Sequence, residues 1–278
     1  MLVRTASVFL MLLLVACSES PDIRVQEFTM QLPEGSSVFT EELLKGEITD
    51  TRITHLAYVG PLSQSIALSE ENTDMFIGLK GSGVIQADTL SYTMVPESIA
   101  IPMTFDRILI TVPEGTTFHF LHFEKKRTEQ DREDMEFFPE ENKFDMYFTE
   151  FIDCEPYTEK IKSPNTVSRT VLPQDIVPRV SLGTVEAPGP DAVGAHEHPM
   201  LDQLFLGLRG NDITVHADKS SVAFREFELL HIPIGSSHWA TVEEGKKMYY
   251  MWMDFFLTKE GQEWLKTHKP VSTDKKEY

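Results

Sequence analysis

The chain has 278 residues, length for one large domain or two of roughly 100–150 residues each. Hydrophobic residues make up 41%, with only 15 Gly and 16 Pro, which excludes disordered, collagen-like and linker proteins. Twenty-five Lys and Arg against 44 Asp and Glu leave a net charge of −19. No basic surface remains to displace counterions from a nucleic acid or to dock on an anionic bilayer.

The chain opens with one charge, Arg4, and an apolar run from Ala6 to Ala16 broken only by Ser7. That run is too short to span a bilayer but fits the apolar region of a secretory signal. It ends Leu14-Val15-Ala16-Cys17, which resembles the lipobox of bacterial lipoproteins. The resemblance implies that residues 1–16 are removed and that Cys17 is lipidated. Residues 17–22 then tether an exported protein to the bacterial cell envelope, and Ser18 fits onward transport to the outer membrane. Only Cys17 and Cys154 occur, so a lipidated Cys17 leaves no disulfide. Cys154, in Phe151-Ile152-Asp153-Cys154, reads as a small buried hydrophobe.

The body of the chain predicts an all-β protein. Val25–Leu32, Ile53–Val59, Val84–Ala87, Ile108–Val112 and Phe118–Phe123 are short apolar or alternating runs punctuated by Pro, Gly, Ser or Asp. Helical patterns are expected at Thr40–Lys45, Glu129–Phe137 and Lys259–Thr267. An internal repeat organises the rest. Gly78-Leu79-Lys80-Gly81 matches Gly207-Leu208-Arg209-Gly210, Ala87-Asp88 matches Ala217-Asp218, and Ile99-Ala100-Ile101-Pro102 matches Leu230-His231-Ile232-Pro233. The offset is nearly constant, so two similar barrels are expected at 23–125 and 165–258. A charged connection (126–164) joins them, and a helix and tail (259–278) follow.

The second half concentrates the chemistry. His196-Glu197-His198 can place two imidazoles on one face of a strand, since residues two apart share a face. Gln203 follows, and His238 comes after the turn Pro233-Ile234-Gly235. Three imidazoles and an oxygen donor suit one borderline divalent ion such as Zn, Ni, Fe or Mn. Asp202 is the competing oxygen ligand. The remaining histidines match no such pattern.

These residues resemble the two motifs of the cupin superfamily. His196, His198, Gln203 and Gly210 match H-x-H, an acid and a Gly, while Pro233, Gly235 and His238 match P-x-G-x-x-H. The resemblance implies two tandem cupin barrels (double-stranded β-helix, or jelly-roll), a metal held by His196, His198, Gln203 and His238, and pairing of two copies. It departs from the family in having Gln203 for the usual glutamate, Val242 for the trailing Asn, and Phe227 at the second motif's leading glycine. The amide leaves the full charge of a divalent ion for a bound anionic oxygen. His-x-His with Gln in the acid slot is similar to small cupins acting on unsaturated uronates. The first half has no matching ligands: Asp74 aligns with Gln203 and Arg107 with His238, and an Arg107–Asp74 ion pair could fill the space.

Pocket residues are expected from Asp202, Phe205, Trp239, Tyr250 and Trp252, with Gly207 leaving room for a ligand. Asp202, Glu197 and Tyr250 are the general-base candidates. The implied function is a non-redox isomerase or lyase acting on a small anionic or hydroxylated ligand, such as a sugar acid. The alternatives are a lipid-anchored receptor or sensor with a structural metal, or an Fe(II) dioxygenase.

Overall fold

The computed structural model describes residues 23–198 and 200–267. The expected signal segment, Cys17 and the tail from His268 lie outside them. In chain order the strands are β1 (Arg24–Glu27), β2 (Val38–Leu43), β3 (Thr51–Val59), β4 (Leu62–Ala67), β5 (Asn72–Lys80), β6 (Gly83–Ala87), β7 (Leu90–Met94), β8 (Ser98–Pro102), β9 (Arg107–Val112) and β10 (Thr117–Lys126). Helix α1 (Glu129–Glu136), β11 (Met146–Glu150) and β12 (Pro156–Tyr157) follow. Next come β13 (Val167–Leu172), β14 (Val180–Pro188), β15 (Asp191–His196), β16 (Leu201–Gly207), β17 (Asp212–Ala217), β18 (Ser220–Arg225), β19 (Glu228–Ile232), β20 (His238–Val242), β21 (Lys247–Phe256) and α2 (Lys259–Thr267).

The strands form the expected two tandem jelly-roll barrels, each a large sheet against a small one. The first pairs β11-β8-β5-β10-β3-β2 with β4-β9-β6-β7, and the second pairs β1-β19-β16-β21-β14-β13-β12 with β15-β20-β17-β18. Alternation aims one set of side chains into each barrel. Ile108, Ile110, Phe118 and Phe120 fill the first, and Val185, Phe205, Val215 and Tyr250 fill the second. A third core lies between the backs of the two large sheets, with Ile53, Ile77, Leu121 and Phe123 facing Leu182, Leu204, Met251 and Met253. Strand β16 is covered on both faces, so Leu201–Gly207 is buried at every position and apolar apart from Asp202 and Gln203.

The repeat extends to the backbone. Asp88 and Asp218 (φ 49° and 51°) take matching left-handed positions, as do Glu97 and Phe227 (φ 64° and 59°). Phe227 therefore keeps the backbone conformation that glycine would favour there.

Two expectations change. Thr40–Lys45 is not a helix: Val38–Leu43 is an edge strand on β3, with Glu41 opposite His55. Six residues cannot nucleate a helix without tertiary support, and a charged edge strand is a common solution. The barrels also exchange strands across the expected boundaries. Strand β1 pairs with β19 of the second barrel, while the connection supplies β11 to the first and β12 to the second. Helix α1 forms as expected, with Thr128 and Asp131 making a reciprocal cap at its N-terminus.

Candidate metal centre

The His cluster stands where β15 meets β20. A bulge between Val193 and His196 inserts one extra residue opposite β20, so His196 pairs with His238. Val193 already faces the barrel core; without the bulge, three residues further on, His196 would face outward. The rings of His196 and His238 lie 4.3 Å apart, with His198 at 4.9 and 5.4 Å from them. Ligand-capable nitrogens of all three lie within 4.8 Å of one another.

The tautomers are set by the backbone. His196 Nδ1 sits 2.8 Å from the Gly194 carbonyl and His238 Nδ1 3.2 Å from the Ser236 carbonyl. A carbonyl only accepts, so each Nδ1 carries its hydrogen and each Nε2 keeps a lone pair. Burial lowers the pKa of His196, and burial together with the neighbouring imidazoles lowers that of His238 further. Both rings are therefore neutral at pH 7, the form that binds a metal.

Gln203 comes from β16. It lies on the same strand face as Phe205, whose ring is 6.1 Å from His238. Its Nε2 donates to Asp254 Oδ1 at 2.7 Å, which fixes which end of the amide is oxygen. His238 Nε2 and Gln203 Oε1 are buried with no hydrogen-bond partner in the protein. Buried acceptors are rarely left so, and lone pairs of this kind are what a divalent cation takes up. The residues fit the ion.

Asp254 escaped the sequence analysis, although alternation from Tyr250 and Trp252 leads straight to it. It sits opposite Gln203 in the β16–β21 register. Burial pushes its carboxyl up to about 7; the Gln203 amide opposes this and the charge of Glu159 adds to it. Tyr250 and Trp252 do belong to the second-barrel interior. Burial raises the Tyr250 phenol, so it stays protonated and is no base at neutral pH.

Other expected residues point elsewhere. Asp202 faces the seam between the barrels, where it accepts from the Thr49 backbone N–H at 3.3 Å and lies 3.8 Å from His231. Strand alternation makes Gln203 and Asp202 exclusive, and Gln203 shares with Phe205 the face turned into the barrel. Trp239 stacks on His216 at 4.7 Å on the opposite face of its strand from His238. Glu197 is exposed. Gly207 leaves no ligand space: a Cβ there would sit 1.8 Å from the Arg225 carbonyl oxygen.

In the first barrel Arg107 is exposed and makes no pair with Asp74. Asp74 instead lies 2.7 Å from His122, a ring stacked on Phe76. Asp74, His122 and Glu124 do gather ligand-capable atoms, but Glu124 is already paired with the Arg52 guanidinium. The equivalent place thus holds one imidazole bonded to a carboxylate and an Arg–Glu ion pair, in place of three imidazoles.

The fold recurs in solved structures. A putative glyoxylate-induced protein from Pseudomonas aeruginosa superposes with TM-score 0.65 at 11% identity, covering 92% of this chain and 93% of that one. Protein Ylba from E. coli gives 0.63 at 8% identity, over 86% and 92% of the two chains. An oxalate decarboxylase from Lactobacillus farciminis gives 0.60 at 11% identity, over 84% and 86%. These are cupin-fold proteins, and the likeness establishes that fold for this chain. No family model matches the sequence, and no curated protein matches it.

Proposed function

We propose that the protein is a double-barrelled, metal-dependent cupin acting on a small sugar acid or hydroxy acid, tethered at a bacterial envelope through Cys17. The observation that carries this reading is the set of converging acceptors in the second barrel. His196 and His238 are held as Nδ1–H tautomers, and the free acceptors His238 Nε2 and Gln203 Oε1 are buried. His196, His198, Gln203 and His238 would hold one divalent ion. When bound, it supplies a Lewis acid of full divalent charge that polarises a carboxylate or carbonyl oxygen.

The chain's own residues do the rest. Asp254 orients the Gln203 amide. Phe205, Tyr250 and Trp252 build an apolar wall that displaces water. Asp254 is the carboxyl that stands beside Gln203 in the β16–β21 register, placed to exchange a proton in an isomerisation or lyase step. That gives Asp254 the general-base role in place of Asp202 and Glu197, which face away.

The test is metal content followed by turnover. Purified protein should hold near-stoichiometric divalent metal, and His196→Ala with His238→Ala should lose it. Metal-loaded protein should convert unsaturated uronates or related hydroxy acids to a product that chelation abolishes. Tight binding with no metal-dependent product would replace the enzyme by a lipid-anchored receptor.

A further inference from the structure

The connection between the barrels runs alongside β15 of the second one. Ile161 accepts from the Gly194 backbone N–H at 2.9 Å and packs against the barrel core, and Lys162 bridges to Val193. Ser163 donates to Asp191 at 2.5 Å, pinning the segment to the start of β15. This strap carries an ion pair: Lys162 Nζ lies 2.7 Å from Glu159 and donates to Ser168 Oγ at 2.8 Å. Ser168 stands opposite Val185 in the β13–β14 register, on the strand face that lines the barrel.

The two partners differ in burial. The Lys162 side chain is 5% exposed and that of Glu159 is 41% exposed. A half-exposed carboxylate can swing into water at little cost, whereas a buried ammonium left unpaired is strongly unfavourable. A ligand anion that met Lys162 would compete with Glu159 for it.

Resting on the metal-dependent reading above, we propose that Lys162 is the anion-recognising, specificity-determining residue of the second barrel, with Glu159 as its built-in stand-in until a ligand carboxylate takes its place. The ligand class is a small hydroxylated monocarboxylate, and a neutral sugar of the same shape is discriminated against. Lys162 reads the carboxylate as a point charge, and the cation held by the imidazoles takes another oxygen.

The experiment uses full-length, metal-loaded protein and a matched pair of probes, D-galacturonate and D-galactose, titrated by calorimetry. The wild type should bind galacturonate at least tenfold more tightly than galactose. Lys162→Gln should abolish that preference, with metal content unchanged. Glu159→Gln removes the competitor and should tighten galacturonate binding several-fold, a sign that no structural role for the pair produces. Because Glu159 is half exposed, this second variant keeps the test open even if Lys162→Gln folds poorly. Equal affinity for the two probes, no binding of either, or weaker galacturonate binding in Glu159→Gln would each overturn the inference. Stoichiometric metal beside any of those results leaves the metal-dependent reading standing; metal retained in the His196→Ala, His238→Ala variant overturns that reading itself.

Discussion

At Gln203 a single amide joins two demands. Its N–H side is committed to Asp254 and its oxygen is buried without a partner. Gln203→Glu keeps the shape but sets two carboxylates where a 2.7 Å hydrogen bond stood. Two carboxylates so close cannot both be charged. The metal-free variant should lose about 1–3 kcal/mol, the usual penalty for a buried polar group deprived of its partner, and added divalent metal should restore most of it. Thermal melts with and without chelator measure this directly. Trp239 gives the contrasting case, since its ring stacks on His216 outside the barrel. Trp239→Ala should cost about 1 kcal/mol, in keeping with an aromatic pair, and leave bound metal unchanged. Loss of metal in Trp239→Ala would put that ring at the site after all.

Among the elements, β5 and β16 show how much backbone proximity the jelly roll requires. A Cβ at Gly78 would lie 2.1 Å from the Val95 carbonyl oxygen, and one at Gly207 would lie 1.8 Å from that of Arg225. Both contacts are to backbone, so neither can yield by a rotamer change. Gly207→Ala should therefore cost at least about 3 kcal/mol, among the larger effects of a single substitution, and calorimetric unfolding should show it. The matched glycines were visible in the sequence as a repeat, yet their reason was not: the repeat marks strand crossings, not space for a ligand. The two jelly rolls, α1 and the inward His cluster were legible because strand alternation and motif spacing are local. The bulge before His196, the exchange of β1 into the second sheet and the strap at 157–163 were not. Each depends on which distant backbone a segment meets, and a polar connection such as Thr158-Glu159-Lys160 carries no periodicity to reveal it. Asp202 failed for a related reason. Spacing brought it near the motif, but the face it takes is set by the strand's pairing with β19 and β21.

For the whole molecule, the apolar seam between the large sheets is reinforced by ions at one end. Helix α1 leaves the first barrel, and its Asp131 receives two hydrogen bonds from Arg179, each 2.6 Å, at the entry to β14. Arg179 also donates to the carbonyls of Phe256 and Leu257 at the end of β21, and Lys259 of α2 reaches back to Asp134. The clamp thus fastens the connection to the one end of the second barrel's central strands where β14 begins and β21 finishes. Burial alone would raise the Asp131 carboxyl, but the Arg179 guanidinium and the Thr128 backbone N–H outweigh it and hold it below its ordinary value. A carboxyl depressed on folding contributes stability that is fully present above its unfolded pKa, about 3.9, and is lost as pH falls toward its folded value. Arg179 stays charged throughout, its own pKa raised first by its bonds to Asp131. Asp131→Asn should therefore destabilise the protein at pH 7 by about 3–5 kcal/mol, the cost of stranding one member of a buried pair. The gap between variant and wild type should hold down to about pH 4 and close below it, where the wild-type carboxyl protonates and resembles the amide. Denaturant unfolding at pH 7 and at steps below pH 4 reads both limbs; a gap that stays constant through the acid range would mean that Asp131 acts by shape and not by charge.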